Sequence, residues 1–136
     1  MATLVAGYDG SDGSKAALLA AVSAAKAFGD RIVVAFGGGV YHIGEDADHQ
    51  RLVHEMGVSR TEEALAAVRA EGFTDCEAAI VDLRPVEALL QITEKHDARM
   101  IVVGTRGEHP LKGAVLGSVP HKLLHVSAVP VLVVPG

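Results

Sequence analysis

The chain has one cysteine, Cys76, among its 136 residues. A single cysteine cannot close an intramolecular disulfide, and it excludes a metal site built from several thiolates. No apolar run approaches the roughly 20 residues that span a bilayer. The opening residues, Met1–Gly7, lack the basic region and cleavage site of a signal peptide. We therefore expect a cytoplasmic protein with no membrane partner.

Positive charge is also scarce. Twelve Lys and Arg residues against 17 Asp and Glu residues give a net charge of −5. The acidic residues are scattered along the chain and form no block. This balance argues against nucleic acid as the main partner and favours an acidic, solvated surface.

The phosphate-binding motifs of common nucleotide enzymes are missing as well. The sequence contains neither Gly-x-x-x-x-Gly-Lys-[Ser/Thr] nor Gly-x-Gly-x-x-Gly, so it is not a P-loop NTPase and lacks the dinucleotide-binding fingerprint. No pair of carboxylates is evidently placed to hold Mg²⁺ against a transferring phosphoryl group, and no residue is evidently placed as a base. Efficient phosphoryl transfer is therefore not expected.

The chain does have enough apolar material for a core, with 49% hydrophobic and 21% charged residues. Its length suits one compact domain, residues 1–136. Short apolar runs alternate with stretches of helical period, the pattern of an α/β domain. Five runs predict strands: Thr3–Gly7, Arg31–Phe36, Cys76–Val81, Met100–Gly104 and Val131–Val134.

Apolar residues at three- and four-residue spacing predict four helices between these strands. Because a strand, a crossover helix and a parallel strand wind right-handed, this order predicts an open, doubly wound sheet that binds ligands at the carboxyl ends of its strands. Ser11 and Asp12 before the first helix, Gly29 after it and Pro85 at the third agree with helix boundary chemistry. Two segments without a helical period, 37–50 and 105–116, are predicted to be loops.

The second predicted loop carries the strongest chemical signal. A strand ends at Gly104, and glycines follow at positions 107, 113 and 117, directly before Ser118 and a helix. Glycine permits close approach to a ligand, and unpaired N–H groups at a helix start favour phosphate oxygens. We interpret Gly117, Ser118 and Val119 as an anion-binding nest. The alternative is that the glycines only serve turns and that Ser118 is an N-cap.

The spacing Gly104-x-x-Gly107, nine residues, then Gly117-Ser118 resembles the ATP-binding branch of the universal stress protein family. The opening Val5-Ala-Gly-Tyr-Asp9-Gly-Ser-Asp-Gly-Ser14 resembles that family's first strand and turn. The segment Ala128-Val-Pro-Val-Leu-Val-Val134 resembles its last strand. The resemblance thus covers essentially the whole chain, in the family's order.

This resemblance implies strand order 3-2-1-4-5, one adenine nucleotide per subunit and a homodimer that pairs through Val131–Val134. The implied ligand is ATP, with or without Mg²⁺, and AMP or cyclic AMP are the alternatives. The implied role is a stress-response sensor or regulator. Two further hypotheses stay open: a slow ATPase or autophosphorylating protein with Ser118 or Thr105 as acceptor, and a nucleotide-free dimeric interaction module.

Carried over by position, the family's nucleotide contacts fall on strand ends and on the glycine loop. Asp9 would hold the ribose hydroxyls, although Asp-Gly-Ser after a strand is also ordinary turn chemistry. Tyr8 is larger than the residue often found there and is expected to narrow the adenine pocket or stack on the base. The implied base and ribose positions are Gly7, Tyr8, Asp9, Phe36, Val103 and Gly104. The implied phosphate positions are Thr105, Arg106, Gly107, Gly117, Ser118 and Val119.

The seven histidines raise the question of a metal site. His121 and His125 stand four residues apart, a spacing that zinc sites use. No third ligand is indicated, however. We interpret this pair, together with His42, His49 and His54, as surface or partly buried histidines.

Overall fold

The computed structural model describes residues 1–38, 47–105 and 116–136. Within these ranges the predicted alternation of strands and helices is confirmed. The elements, in chain order, are β1 (Thr3–Gly7), α1 (Asp12–Phe28), β2 (Arg31–Gly37), α2 (Ala47–Ala70), β3 (Cys76–Val81), α3 (Pro85–Lys95), β4 (Met100–Gly104), α4 (Ser118–Val126) and β5 (Val131–Val134). Four of the strands have the predicted bounds, and β2 is one residue longer.

The sheet is parallel throughout, and its strand order is 3-2-1-4-5. The expected fold class is therefore confirmed. The chain builds outward from β1 through β2 to β3, then returns to the other side of β1 for β4 and β5. The strand order reverses between β1 and β4, and in such sheets that position opens a crevice at the carboxyl ends of the two strands.

Both faces of the sheet are covered by helices, as the apolar strands predict. On one face, buried side chains of β1 and β2, such as Leu4 and Ile32, pack with those of α1 and α2, such as Leu18 and Val68. On the other face, residues of the same strands pack with α3 and with Leu123 of α4. The strand ends at the switch point are therefore fixed from both sides.

The predicted bounds of the first loop, 37–50, are wrong at both ends. Gly37 belongs to β2, and α2 already begins at Ala47. The first turn of α2 has no apolar period to reveal it, but Asp48 lies there, where a negative charge interacts favourably with the helix dipole. Residues 39–46 of this segment, like residues 106–115 of the second predicted loop, lie outside the described residues.

An ion pair links three strands at their amino-terminal ends. Asp30, just before β2, accepts hydrogen bonds from the backbone N–H of Ala2 at 3.2 Å and from Arg99 Nη2 at 2.9 Å. Arg99 Nε lies 2.8 Å from the second carboxylate oxygen. The side chain of Asp30 is fully buried, whereas that of Arg99 is 48% exposed. The starts of β1, β2 and β4 are thus held at one buried carboxylate.

Removal of the Arg99 guanidinium is expected to destabilise the fold. In Arg99→Met, Asp30 keeps its burial but loses its charged partner, and we expect the free energy of unfolding to fall by about 2 to 3 kcal/mol. Arg51→Met breaks an exposed pair with Asp48 and should change stability by less than about 0.5 kcal/mol. Urea unfolding measures both variants. Equal, small losses in the two would contradict a stabilising role for the buried pair.

Candidate functional site

Asp9 lies in the turn between β1 and α1, and local hydrogen bonds fix that turn. The backbone N–H of Ser11 donates to Asp9 Oδ1 at 2.9 Å, and the Asp9 N–H lies 3.3 Å from Ser14 Oγ. Ser11 is also the N-cap of α1, since its hydroxyl accepts from the Ser14 N–H at 3.2 Å. A carboxylate has acceptor capacity beyond one such bond, so Asp9 can still accept from ligand hydroxyls.

Gly104 brings the end of β4 against the start of α1. A Cβ atom at Gly104 would lie 2.5 Å from the carbonyl carbon and oxygen of Gly13. No side chain fits there unless α1 moves away from β4. Gly7, at the end of β1, is also close to its neighbours, because a Cβ there would lie 3.1 Å from Val103 Cγ1. Packing therefore explains why position 104 carries no side chain, and the same contact places the start of α1 beside the end of β4.

The start of α4 lies beside the same strand end. Gly117 is the N-cap residue, and its N–H donates to the carbonyl of Thr105 at 2.7 Å. Ser118 is the first helical residue and is exposed, so its interpretation as the N-cap is wrong. Because the Gly117 N–H already donates to Thr105, the amides of Ser118 and Val119 are the donors that remain at this helix start among the described residues.

These two amides suit an anion for a simple geometric reason. The first N–H groups of a helix have no partner within it, and no side chain in the described ranges caps α4. Pro120, the third helical residue, has no N–H to contribute. A phosphate at this position would accept from Ser118 and Val119 and would interact favourably with the helix dipole.

Of the two expectations for Tyr8, stacking on the base does not fit the position of its side chain. Tyr8 is 4% exposed and packs in the core with α1 and α2, so almost none of the ring is accessible to a base. Its hydroxyl donates to Glu63 Oε1 at 2.6 Å. Burial, together with this bond to a carboxylate, raises the pKa of Tyr8 well above its usual value. The backbone of Tyr8 still lies at the candidate site.

Phe36 lies at the same edge of the sheet, near the end of β2. Its ring is buried against α2, where Gly57 allows close contact. The Tyr8 N–H donates to the carbonyl of Ala35, so the backbone that follows β1 runs alongside the last residues of β2. The sheet therefore gathers at one edge the predicted positions Gly7, Tyr8, Asp9, Phe36, Val103, Gly104, Thr105, Gly117, Ser118 and Val119. Arg106 and Gly107 lie outside the described residues.

Comparison with known proteins agrees with this architecture. The model of the universal stress protein family matches residues 1–135. The chain belongs to the universal stress protein family. The universal stress protein in the QAH/OAS sulfhydrylase 3′ region of Thermus aquaticus is 33% identical over 135 residues, 97% of each chain.

Solved universal stress protein structures share the fold. A universal stress protein in complex with cyclic AMP is 30% identical, has a TM-score of 0.74, and the match covers 98% of this chain and 96% of that one. A universal stress protein family protein from Arabidopsis thaliana with AMP bound is 13% identical, with a TM-score of 0.69 and coverage of 99% and 92%. At that identity the second comparison shows the fold alone.

Two residues at the site were not found from the sequence. Glu63 holds the Tyr8 hydroxyl, and Arg60 packs against Gly10, where a Cβ atom would lie 2.9 Å from Arg60 Nη1. Both are on α2, more than 45 residues from the turn that they contact. Their i,i+3 spacing suggests only an exposed helical ion pair, so no sequence signal marked them.

No metal site emerges from the described part of the chain, where no three His, Cys, Asp or Glu side chains are grouped as ligands. The rings of His121 and His125 lie edge to face, with centroids 4.9 Å apart, on the exposed side of α4. The helices in the described ranges also include none long and apolar enough to cross a membrane.

The raised pKa of Tyr8 predicts a loss of stability in alkali. The unfolded phenol titrates near about pH 10, while the folded one keeps its proton to higher pH. The stabilisation that the protonated Tyr8 hydroxyl contributes is thus fully present below about pH 10 and is lost as the pH rises above that value. We expect wild type to lose about 1 kcal/mol more than Tyr8→Phe between about pH 8 and pH 11. Denaturant unfolding at both pH values measures this, and parallel losses would contradict it.

Proposed function

We propose that this universal stress protein binds an adenine nucleotide, ATP in the first place, at the carboxyl edge of the sheet between β1 and β4. The observation that carries this proposal is the backbone contact of Gly104 with Gly13. It brings an acceptor for hydroxyls, the Asp9 carboxylate, next to the strand that leads to the α4 helix start. A nucleotide needs both: an acceptor for its ribose and donors for its phosphates.

In this proposal each part of the nucleotide has its own partner. The ribose hydroxyls donate to Asp9, whose Oδ1 accepts one backbone N–H and which as a carboxylate has capacity for further donors. The phosphates accept from the amides of Ser118 and Val119 and from the Ser118 hydroxyl, with Arg106 and Gly107 as further partners. The base lies beside the backbones of Gly7, Tyr8 and Phe36, and Val103 and Gly104 border the sugar.

The relative with cyclic AMP supports the ligand class, since it is 30% identical over 98% of this chain. ATP and cyclic AMP share the base and the ribose 2′-hydroxyl, so the Asp9 turn serves either one. ATP has three phosphates where cyclic AMP has one, so ATP needs more hydrogen-bond donors at the start of α4. The role as a stress-response sensor or regulator follows if the bound and free proteins differ in their affinity for a partner.

Titration calorimetry on nucleotide-stripped protein, with ATP and cyclic AMP in parallel, tests this proposal. We expect micromolar binding, and a loss of about tenfold or more in Asp9→Asn, in which the amide oxygen can still accept from the Ser11 N–H. The control is Asp75→Asn. Asp75 is exposed and precedes β3, so it lies at the amino-terminal ends of the strands, opposite the proposed site. Equal affinity of Asp9→Asn and wild type would contradict the site, and no heat with either nucleotide would favour the interaction module. Phosphate release in the same samples tests slow hydrolysis.

We also propose that two copies pair through β5. This strand forms one edge of the sheet, and an edge strand offers unpaired backbone groups to another strand. Leu132 on β5 is 39% exposed, and Leu124 and Val126 of the adjacent α4 are exposed as well. A second copy of the chain would cover these apolar side chains.

Replacement of Leu132 by Glu is expected to convert the dimer into a monomer in sedimentation at micromolar concentration, because it would bury an unpaired charge in the interface. Leu52→Glu is the matched control, since Leu52 on α2 is 54% exposed and α2 packs against β2 and β3, on the other side of the sheet from β5. A wild type that sediments as a monomer, or a Leu132→Glu variant that stays dimeric, would contradict pairing through this strand.

A further inference from the structure

Helix α2 contacts both neighbours of Asp9. Glu63 accepts the hydrogen bond of the Tyr8 hydroxyl at 2.6 Å. Arg60, one turn earlier on the helix, lies against Gly10, and its Nη1 is 3.8 Å from Glu63 Oε2. Tyr8 and Gly10 directly precede and follow Asp9 in the chain. The Asp9 turn is thus held between α2 on one side and the α1 cap on the other.

The Tyr8–Glu63 hydrogen bond joins a buried donor to a half-exposed acceptor, since the Glu63 side chain is 44% exposed. The Tyr8 ring is buried in the core, so its position can change only if neighbouring side chains also move. The acceptor is a carboxylate, and such bonds are short and roughly twice as strong as neutral ones. The Tyr8 N–H is fixed as well, by the carbonyl of Ala35 at 3.1 Å. Hydrogen bonds therefore fix both the backbone and the side chain of Tyr8.

We infer that Glu63 is a positioning residue for the ribose contact: through the Tyr8 hydroxyl it aligns the Asp9 carboxylate with the ribose 2′-hydroxyl. This inference rests on the proposed nucleotide site. Glu63 has no contact with the ligand in this scheme and acts through Tyr8 and the turn. Hydrogen bonds weaken steeply as their angle departs from linearity, so a small rotation of the turn lowers the affinity for a ribose more than for a deoxyribose.

The test compares the affinities of ATP and 2′-deoxy-ATP by calorimetry. Wild type is expected to prefer ATP, and Asp9→Asn to lose most of this preference. Tyr8→Phe and Glu63→Ala should each reduce the preference by about threefold or more. The double variant should match the single ones, because all three lack the same bond. Glu63→Gln, which keeps an oxygen acceptor, should retain more of the preference than Glu63→Ala.

Glu62→Gln is the matched control, because Glu62 is the exposed neighbour of Glu63 on α2. Thermal melting of every variant separates positioning from unfolding. An equal loss for both nucleotides, with the preference unchanged, would overturn the inference in favour of a merely structural bond. Full preference in Tyr8→Phe and Glu63→Ala would overturn it too.

A second measurement does not depend on any nucleotide. The Ser11 N–H donates to Asp9 Oδ1, so its hydrogen exchange reports how well the turn is held. We expect faster exchange of this amide in Tyr8→Phe and Glu63→Ala than in Glu62→Gln, with core amides of β4 unchanged. If wild type binds neither nucleotide, the proposed function fails while this readout still decides the positioning. Unchanged exchange at Ser11 would overturn the positioning by itself.

Discussion

The geometry of the candidate site depends on the contact between two backbones, at Gly104 and Gly13. A Cβ atom at Gly104 would lie 2.5 Å from the Gly13 carbonyl, so the start of α1 lies too close to the end of β4 for any side chain at position 104. This approach brings the Asp9 turn and its Ser11 cap beside the strand that continues to Thr105. Thr105 in turn accepts the Gly117 N–H, which fixes the start of α4. The proposed partners for a sugar and for a phosphate are thus brought together by one short contact between secondary structure elements.

Local pattern was sufficient to locate the strands, because each is a short apolar run that both faces of the sheet bury. It was not sufficient for their order, which came from the family resemblance, since strand order depends on contacts between distant residues. The start of α2 was missed for a local reason. Ala47-Asp-His-Gln50 shows no apolar period, and the helix becomes recognisable only where Val53 and Gly57 pack against the sheet.

At the candidate site, the sequence predicted positions better than contacts. Asp9 and Gly104 could be placed because Asp9 follows one central strand and Gly104 ends the next, and parallel strands end on the same side of the sheet. The burial of the Tyr8 ring could not be foreseen, since its partner Glu63 is 55 residues away and an aromatic residue at a strand end can face either core or ligand. The cap of α4 was displaced by one residue, from Ser118 to Gly117, because both residue types are accepted at that position.

The two ends of the parallel strands differ in the hydrogen bonds that the chain itself supplies. At the amino edge, the buried Asp30 carboxylate ties three strand starts together through Ala2 and Arg99. At the carboxyl ends of the strands, α4 begins without a side-chain cap in the described ranges. Its first residue, Ser118, is exposed. A ligand that binds only the folded state adds its binding free energy to stability. A phosphate at this helix start would therefore act as a cap, and a bound nucleotide would stabilise the carboxyl ends of the strands, where no described side chain caps α4.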